Sequence, residues 1–330
     1  MKKNILKKIF IKLSRKVGYE IIDQNNFVSP TLNKELNKNL TNDKKSIVLP
    51  LGEIKLTKKI KDLLIIFRTN TNIDIWDQNK KRIFEKPKVE YAKRSLHSLV
   101  KAIENLNEKY PFINIKLNIV DDNSQKNNLN QLKNIVSKKK LNYQIINHDN
   151  SEHNEIIKIQ KNIETYSNLS SLLKCYQIAK KESKDMIYFV EDDYIHFESS
   201  LEEMIGTYER VSSQLNKQLF ICPADYPYLY TNNEKTNLLI GSKRHWRTIS
   251  KTLCTFMTSK IFLDKYWDNF YNTCLDRNEP FEKYLNEIYK KEICISPIKS
   301  LAIHLTNINS SYGLSPFINY KSIWEENNNN

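Results

Sequence analysis

The sequence predicts a three-layer α/β domain with a largely parallel central sheet. Short apolar runs of strand length alternate with amphipathic stretches of helix length from residue 63 to residue 223. Polar clusters follow directly after several of the apolar runs, where ligands bind in sheets of this kind.

The elements follow in order. LLIIF (63–67) is apolar at every position, as a strand buried on both faces must be. A helix is predicted around 91–107, with Leu96, Leu99, Val100 and Ile103 on one face. INIKLNIV (113–120) is the next strand, a helix follows near 128–137, and NYQIINH (142–148) is a third strand. A helix over about 169–181 leads into the strand MIYFV (186–190). A helix near 199–214 and the strand LFICP (219–223) close the alternating region.

Composition narrows the function. The chain has 330 residues, 40% of them hydrophobic, enough for a sizeable core. It has only five glycines and no G-x-G pair, so neither a Rossmann fingerprint nor a P-loop is present, and a phosphorylated ligand must be held by other means. Five scattered cysteines without a C-x-x-C pattern argue against a disulfide framework or zinc site and for a reducing, cytoplasmic location. No apolar run is long enough to cross a bilayer.

The formal net charge is +14, and residues 1–19 carry seven cations and no acid. In that segment Ile5, Ile9, Leu13 and Val17 recur at helical spacing, with Leu6 and Phe10 beside them. This basic amphipathic helix suits either an anionic membrane surface, on the inner face, or packing against the main domain.

MIYFV runs straight into Glu191-Asp192-Asp193. Alternation along extended chain points Glu191 and Asp193 to one side and Asp192 to the other. Two carboxylates at the mouth of a sheet suit Mg2+ or Mn2+, whose remaining ligands come from water and substrate phosphate. The competing reading is that these acids begin a helix, where the macrodipole favours them.

The sequence resembles nucleotide-sugar-dependent glycosyltransferases of the GT-A fold, of the bacterial family-two kind, over about residues 60–325. LLIIFRTN with the later RSLHSLVKAI, then IVDDNS, YFVEDDYIH and CISPIKSLAIHL carry the resemblance by their order. It implies a GT-A-like fold and a metal-dependent hexosyltransferase. The donor would be a nucleotide-diphosphate-sugar, a UDP-sugar above all, and the acceptor a glycan or lipid-linked glycan in bacterial surface polysaccharide synthesis. Asp121 and Asp122 would read the base or ribose, with Arg68 and Thr69 bordering the nucleotide. YFVEDDYIH would be the DXD-type motif, with Asp193 on the metal, Glu191 on the ribose or the ion, Asp192 beside the nucleotide, and His304 completing the site. Glutamate in the first DXD position departs from the pattern, which leaves the role of Glu191 open. An acid at the start of a late helix would be the general base: Glu279 fits, with Asp276 and Glu282 as competitors, and the usual acid-aspartate pair is absent. His196 is supporting or structural.

On this basis residues 1–20 form the basic helix and 21–60 a linker or wrap-around arm. Residues 61–325 form the catalytic domain, with a nucleotide-binding half (61–195) and an acceptor-binding half (196–325), and 326–330 a disordered tail. Arg244, His245, Trp246 and Arg247 mix cations with aromatic surface, which suits an acceptor site or a lid, or else a plain β-hairpin. Three other functions fit less well. A nucleotidyltransferase needs glycines after the first strand, where FRTNTNIDIW has none. Nucleic-acid binding suits the pI of about 9.3, but half of the excess charge lies in residues 1–19. A degenerate metal site would leave a non-catalytic carbohydrate-binding protein.

Overall fold

The computed structural model describes residues 2–19, 47–48, 56–72, 83–157, 163–231, 234–276, 278, 280–306 and 310–328. The predicted three-layer α/β architecture is present. Its centre is four parallel strands in the order β5 (Met186–Glu191), β2 (Asp62–Thr69), β3 (Asn114–Asp121) and β4 (Tyr143–Asn147). Side chains alternate across β2. Leu63, Ile65 and Phe67 pack under α2 (Lys88–Lys109), α3 (Lys126–Ser137) and α5 (Ser200–Leu215). Leu64 and Ile66 pack on the other face against Leu169, Leu172 and Tyr176 of α4 (Ile163–Glu182). A strand covered on both sides has to be apolar throughout, which is why LLIIF shows no alternation.

The sheet grows to ten strands beyond β5. β10 (Phe256–Ser259) runs antiparallel to β5 and is followed by β7 (Phe220–Ile221), β11 (Cys294–Pro297), β9 (His245–Ile249) and β8 (Leu238–Ile240). The far edge is β1 (Ile47–Val48), parallel to β8, so the stretch read as a linker contributes a strand. Short helices α6 (Tyr228–Thr231), α7 (Lys260–Lys265), α8 (Trp267–Thr273) and α9 (Lys283–Tyr289) belong to this half, and α1 (Lys2–Lys16) lies near the start of the chain.

A two-stranded sheet pairs β6 (Tyr194–His196) with β12 (Ala302–His304). It packs through Ile195 and Ile303 against Tyr91 of α2 and Trp324 of α10 (Tyr320–Glu326). Arg94 fixes α10: its guanidinium lies 4.1 Å from the Trp324 ring centroid, and Nη2 donates to Asn328 Oδ1 at 3.0 Å. The tail expected from residue 326 is therefore held through 328, and Asn327 is buried.

Candidate functional site

The register brings three strand ends together. Arg68 of β2 lies opposite Glu191 of β5, and Thr69 opposite Asp121 of β3. Side chains 50 to 120 positions apart thus share one cleft at the carboxyl edge of the sheet.

At the centre, Arg68 Nη2 donates to Glu191 Oε1 at 2.7 Å. Arg68 Nη1 reaches the Asn168 carbonyl at 3.2 Å and the Asn168 side chain. Burial works against the Arg68 charge, but Glu191, joined by Cys175, Cys254 and Asp192, outweighs it and the pKa is raised. Burial likewise lifts the Glu191 carboxyl; Arg68 opposes this and Asp193 adds to it. Thr255 Oγ1 donates to the second Glu191 oxygen at 3.4 Å. Asp192 turns towards β2, accepting from Thr69 Oγ1 at 2.8 Å and the Asn70 amide at 3.2 Å, with Lys88 at 3.5 Å.

Asp193 is tied to the β6–β12 sheet. Its Oδ2 accepts from Thr306 Oγ1 at 2.6 Å and lies 3.1 Å from His304 Nε2, and its carbonyl accepts from the Leu305 amide. Burial alone would raise its pKa, but His304 and Thr306 pull it well below the usual carboxylate range. His304 shows the converse: burial disfavours its charge, Asp193 outweighs that, and the pKa is raised. The Nδ1 atom lies 2.8 Å from the Tyr312 carbonyl, which can only accept, so Nδ1 carries a proton and Nε2 faces Asp193. The ring stacks on Tyr194 at 4.8 Å.

At the end of β3, Asp121 Oδ2 accepts from the Ser124 amide at 3.1 Å. Asp122 Oδ2 accepts from Asn70 Nδ2 at 3.1 Å and from the Ser167 hydroxyl. Burial lifts the Asp121 pKa against the pull of its Ser124 hydrogen bonds. A cavity of about 540 Å³ opens beside it, lined among others by Asp121, Asn123, Ser124, Lys126 and Asn147.

Asp121, Asp122 and Asp193 share one feature: Oδ2 is hydrogen-bonded while Oδ1 is buried without a partner. Among the described residues only one other buried carboxylate oxygen, Glu203 Oε2, lacks a partner. Such a group costs about 1–3 kcal/mol. All three stand at or just beyond the carboxyl ends of β3 and β5, where a ligand or an ordered water can supply the missing cation or donor.

The donor set fits a divalent ion at Asp193 and His304. Asp193 Oδ1 has no hydrogen-bond partner, and His304 Nε2 becomes a lone-pair donor once its proton leaves, with Nδ1–H still anchored to Tyr312. One carboxylate plus one imidazole suits Mn2+ better than the all-oxygen preference of Mg2+. Among the described residues no three His, Cys, Asp or Glu side chains gather at metal-holding distance. Glu191, expected beside Asp193 on the ion, is engaged by Arg68, because a buried carboxylate next to a buried guanidinium is held by it.

The expected acceptor residues separate. Trp246 is fully buried and its Nε1–H donates to Glu203 Oε1 at 3.1 Å, so this part of the sequence is the β8–β9 hairpin and the tryptophan belongs to the core. Arg247 is buried too, paired with Asp225 and lying over the Tyr230 ring at 4.5 Å. Arg244 donates to the Lys299 carbonyl at 2.8 Å, bracing that loop, and His245 is exposed. His196 is buried against Tyr188 at 2.6 Å, and burial pushes its pKa down to about 3.

Of the acids proposed as base, Glu279 lies outside the described residues and Asp276 is exposed on a bend. Glu282 stands at the entrance of α9, and its charge acts on Tyr312 and Cys254. The Tyr312 hydroxyl is pushed up to about 12, by burial first and then by the Glu282 charge. Burial raises the Cys254 thiol as well, with Glu191 and Glu282 both adding to the rise. Sequence reasoning missed Ser167, Asn168 and Ser171 of α4, Thr255 and Thr306. The polar run YSNLSS ahead of the apolar face of the helix was the available signal.

No protein-family model matches the chain, and no curated protein does. Solved structures match at low identity. Galactosyltransferase LgtC, in complex with donor and acceptor sugar analogues, is 9% identical, with 70% of this chain and 72% of that one covered at a TM-score of 0.35. S. aureus TarS 1–349 is 14% identical, covering 73% of this chain and 59% of that one at 0.40. UDP-glucose pyrophosphorylase complexed with UDP-glucose is 11% identical, covering 74% and 92% at 0.34. Glycosyltransferases, the class the sequence resembles, are thus among these remote matches beside a pyrophosphorylase. The chemistry of this chain has to be read from its own side chains.

Proposed function

We propose that the protein is a metal-dependent glycosyltransferase that moves a sugar from a nucleotide-diphosphate-sugar, a UDP-sugar in the first instance, to a glycan or lipid-linked glycan. The observation that carries this is the trio of buried, unpartnered oxygens on Asp121, Asp122 and Asp193 at the carboxyl ends of β3 and β5. A nucleoside diphosphate with a divalent ion supplies what each one lacks. Asp121 and Asp122 would accept from base N–H and ribose O–H groups, and Asp193 would hold the cation.

Asp193 and His304 would hold the ion, which when bound offsets charge on the departing diphosphate. Arg68 favours the ionised form of Glu191 against burial and pairs with it, and Thr255 helps fix its position. In an inverting transfer the acceptor oxygen attacks the anomeric carbon as the carbon–phosphate-oxygen bond breaks, and the acceptor proton needs a base. We take Glu282, at the entrance of α9, as that base; its charge acts on the Tyr312 hydroxyl and on Cys254, the neighbour of Thr255. Manganese-dependent release of UDP from UDP-sugars tests the proposal. We expect turnover in the wild type and none in Asp193→Ala; undiminished turnover in that variant overturns it.

A further inference from the structure

Six apolar side chains of the α1 segment are solvent-exposed: Ile5 at 58%, Leu6 at 70%, Ile9 at 49%, Phe10 at 61%, Leu13 at 59% and Val17 at 72%. At 100° per residue they occupy one arc of about 140°, on a helix about 22 Å long. A contiguous apolar stripe of this kind, left open to water, marks a surface that something covers.

Charge decides among the candidates. Residues 1–19 carry seven cations and no acid, so the complementary surface is anionic. Lys12 and Lys16 are exposed; Lys12 lies just outside one edge of the stripe and Lys16 just inside it, where long stems can lie along apolar surface while the ammonium stays in water. A nucleic acid would neutralise the charges but leave the apolar arc uncovered. A lipid surface meets both demands at once, with acyl chains for the arc and anionic headgroups for the rim. No helix among the described residues is long and apolar enough to cross a membrane, so the contact is one of lying on the surface. We propose that α1 docks flat on an anionic lipid bilayer, its Ile9–Phe10–Leu13 face inserted at the headgroup boundary. The proposal is independent of which donor the cleft binds.

The test is co-sedimentation of the full chain with phosphatidylcholine vesicles, with and without phosphatidylglycerol. Binding is expected only with the anionic lipid and should weaken as salt rises. Each basic residue near such a surface is worth about a fivefold factor, so the pair Lys12→Gln and Lys16→Gln should cost about 25-fold. These substitutions keep good helix formers and report on charge without unfolding the segment. Phe10→Asp with Leu13→Asp should abolish binding. The proposal is overturned if the wild type ignores anionic vesicles, binds neutral ones equally, or binds as well with Phe10 and Leu13 replaced. It is equally overturned if the helix instead pairs two copies of the chain in solution or binds duplex DNA in preference to vesicles.

Discussion

Replacing Asp193 by asparagine removes one charge from a carboxylate tied to both Thr306 and His304 while keeping its shape. Oδ2 holds Thr306 at 2.6 Å and His304 at 3.1 Å, and Oδ1 has no partner. The amide oxygen still accepts from Thr306. His304 Nε2 faces the same Oδ2 position, so it keeps only the weaker contact to that amide oxygen, while the amide nitrogen takes the Oδ1 place. Two charge-assisted hydrogen bonds, worth about 1.5–3 kcal/mol each, become neutral ones worth about 1 kcal/mol. The side chains of His304 and Asp193 are 10% and 22% exposed, so solvent weakens the pair only in part. The metal-free protein should lose about 1–2 kcal/mol, measured by denaturant titration. The effect on the ion should be larger. Losing a partner that merely orients a metal ligand costs about 10–100-fold in affinity, and losing the charged ligand itself should cost at least about 100-fold. Calorimetry with Mn2+ in the presence of UDP measures it, and UDP release should fall in parallel. Unchanged manganese uptake by a folded Asp193→Asn protein would refute the assignment.

Three further outcomes are expected. Glu282→Gln should lower kcat by about 100- to 10,000-fold while leaving manganese uptake unchanged, in a steady-state assay with saturating donor; equal turnover removes Glu282 as base. His196 is neutral when folded, with its pKa near 3, yet takes a proton near pH 6.5 once unfolded. Its folded pKa is therefore depressed, so the unfolded state binds more protons as pH falls. Its contribution is a loss of stability of about 1.4 kcal/mol per pH unit below about 6.5. Denaturation midpoints of wild type and His196→Phe compared from pH 7 to pH 5 should show the shallower slope in the variant. Gly241→Ala should destabilise by about 1–3 kcal/mol, because an added Cβ collides with the Trp246 indole and the Thr207 hydroxyl; a thermal melt indistinguishable from wild type would count against a packed hairpin there.

The sequence by itself determined the central layer. Two-sided burial forces the LLIIF run to be apolar at every position, and β5 follows the same logic, so both strands could be read without coordinates. It also marked where polar groups leave those strands, because Glu191 to Asp193 and Asp121-Asp122 directly follow or end apolar runs. Helix starts were less legible. α4 begins at Ile163, about six residues before its apolar face does, since Ser167 and Asn168 turn to the cleft and not to the core.

Which carboxylate meets which partner follows from the way distant segments pack. Asp193 joins His304 across 111 positions, Arg68 takes Glu191 across 123, and Trp246 finds Glu203 in the core. Local pattern is blind to such pairs. A charged side chain at a strand end has several neighbours within reach, and strand register together with burial selects among them. The same holds for Arg94, which secures α10 from 230 positions away and orders residues that composition alone marks as a tail.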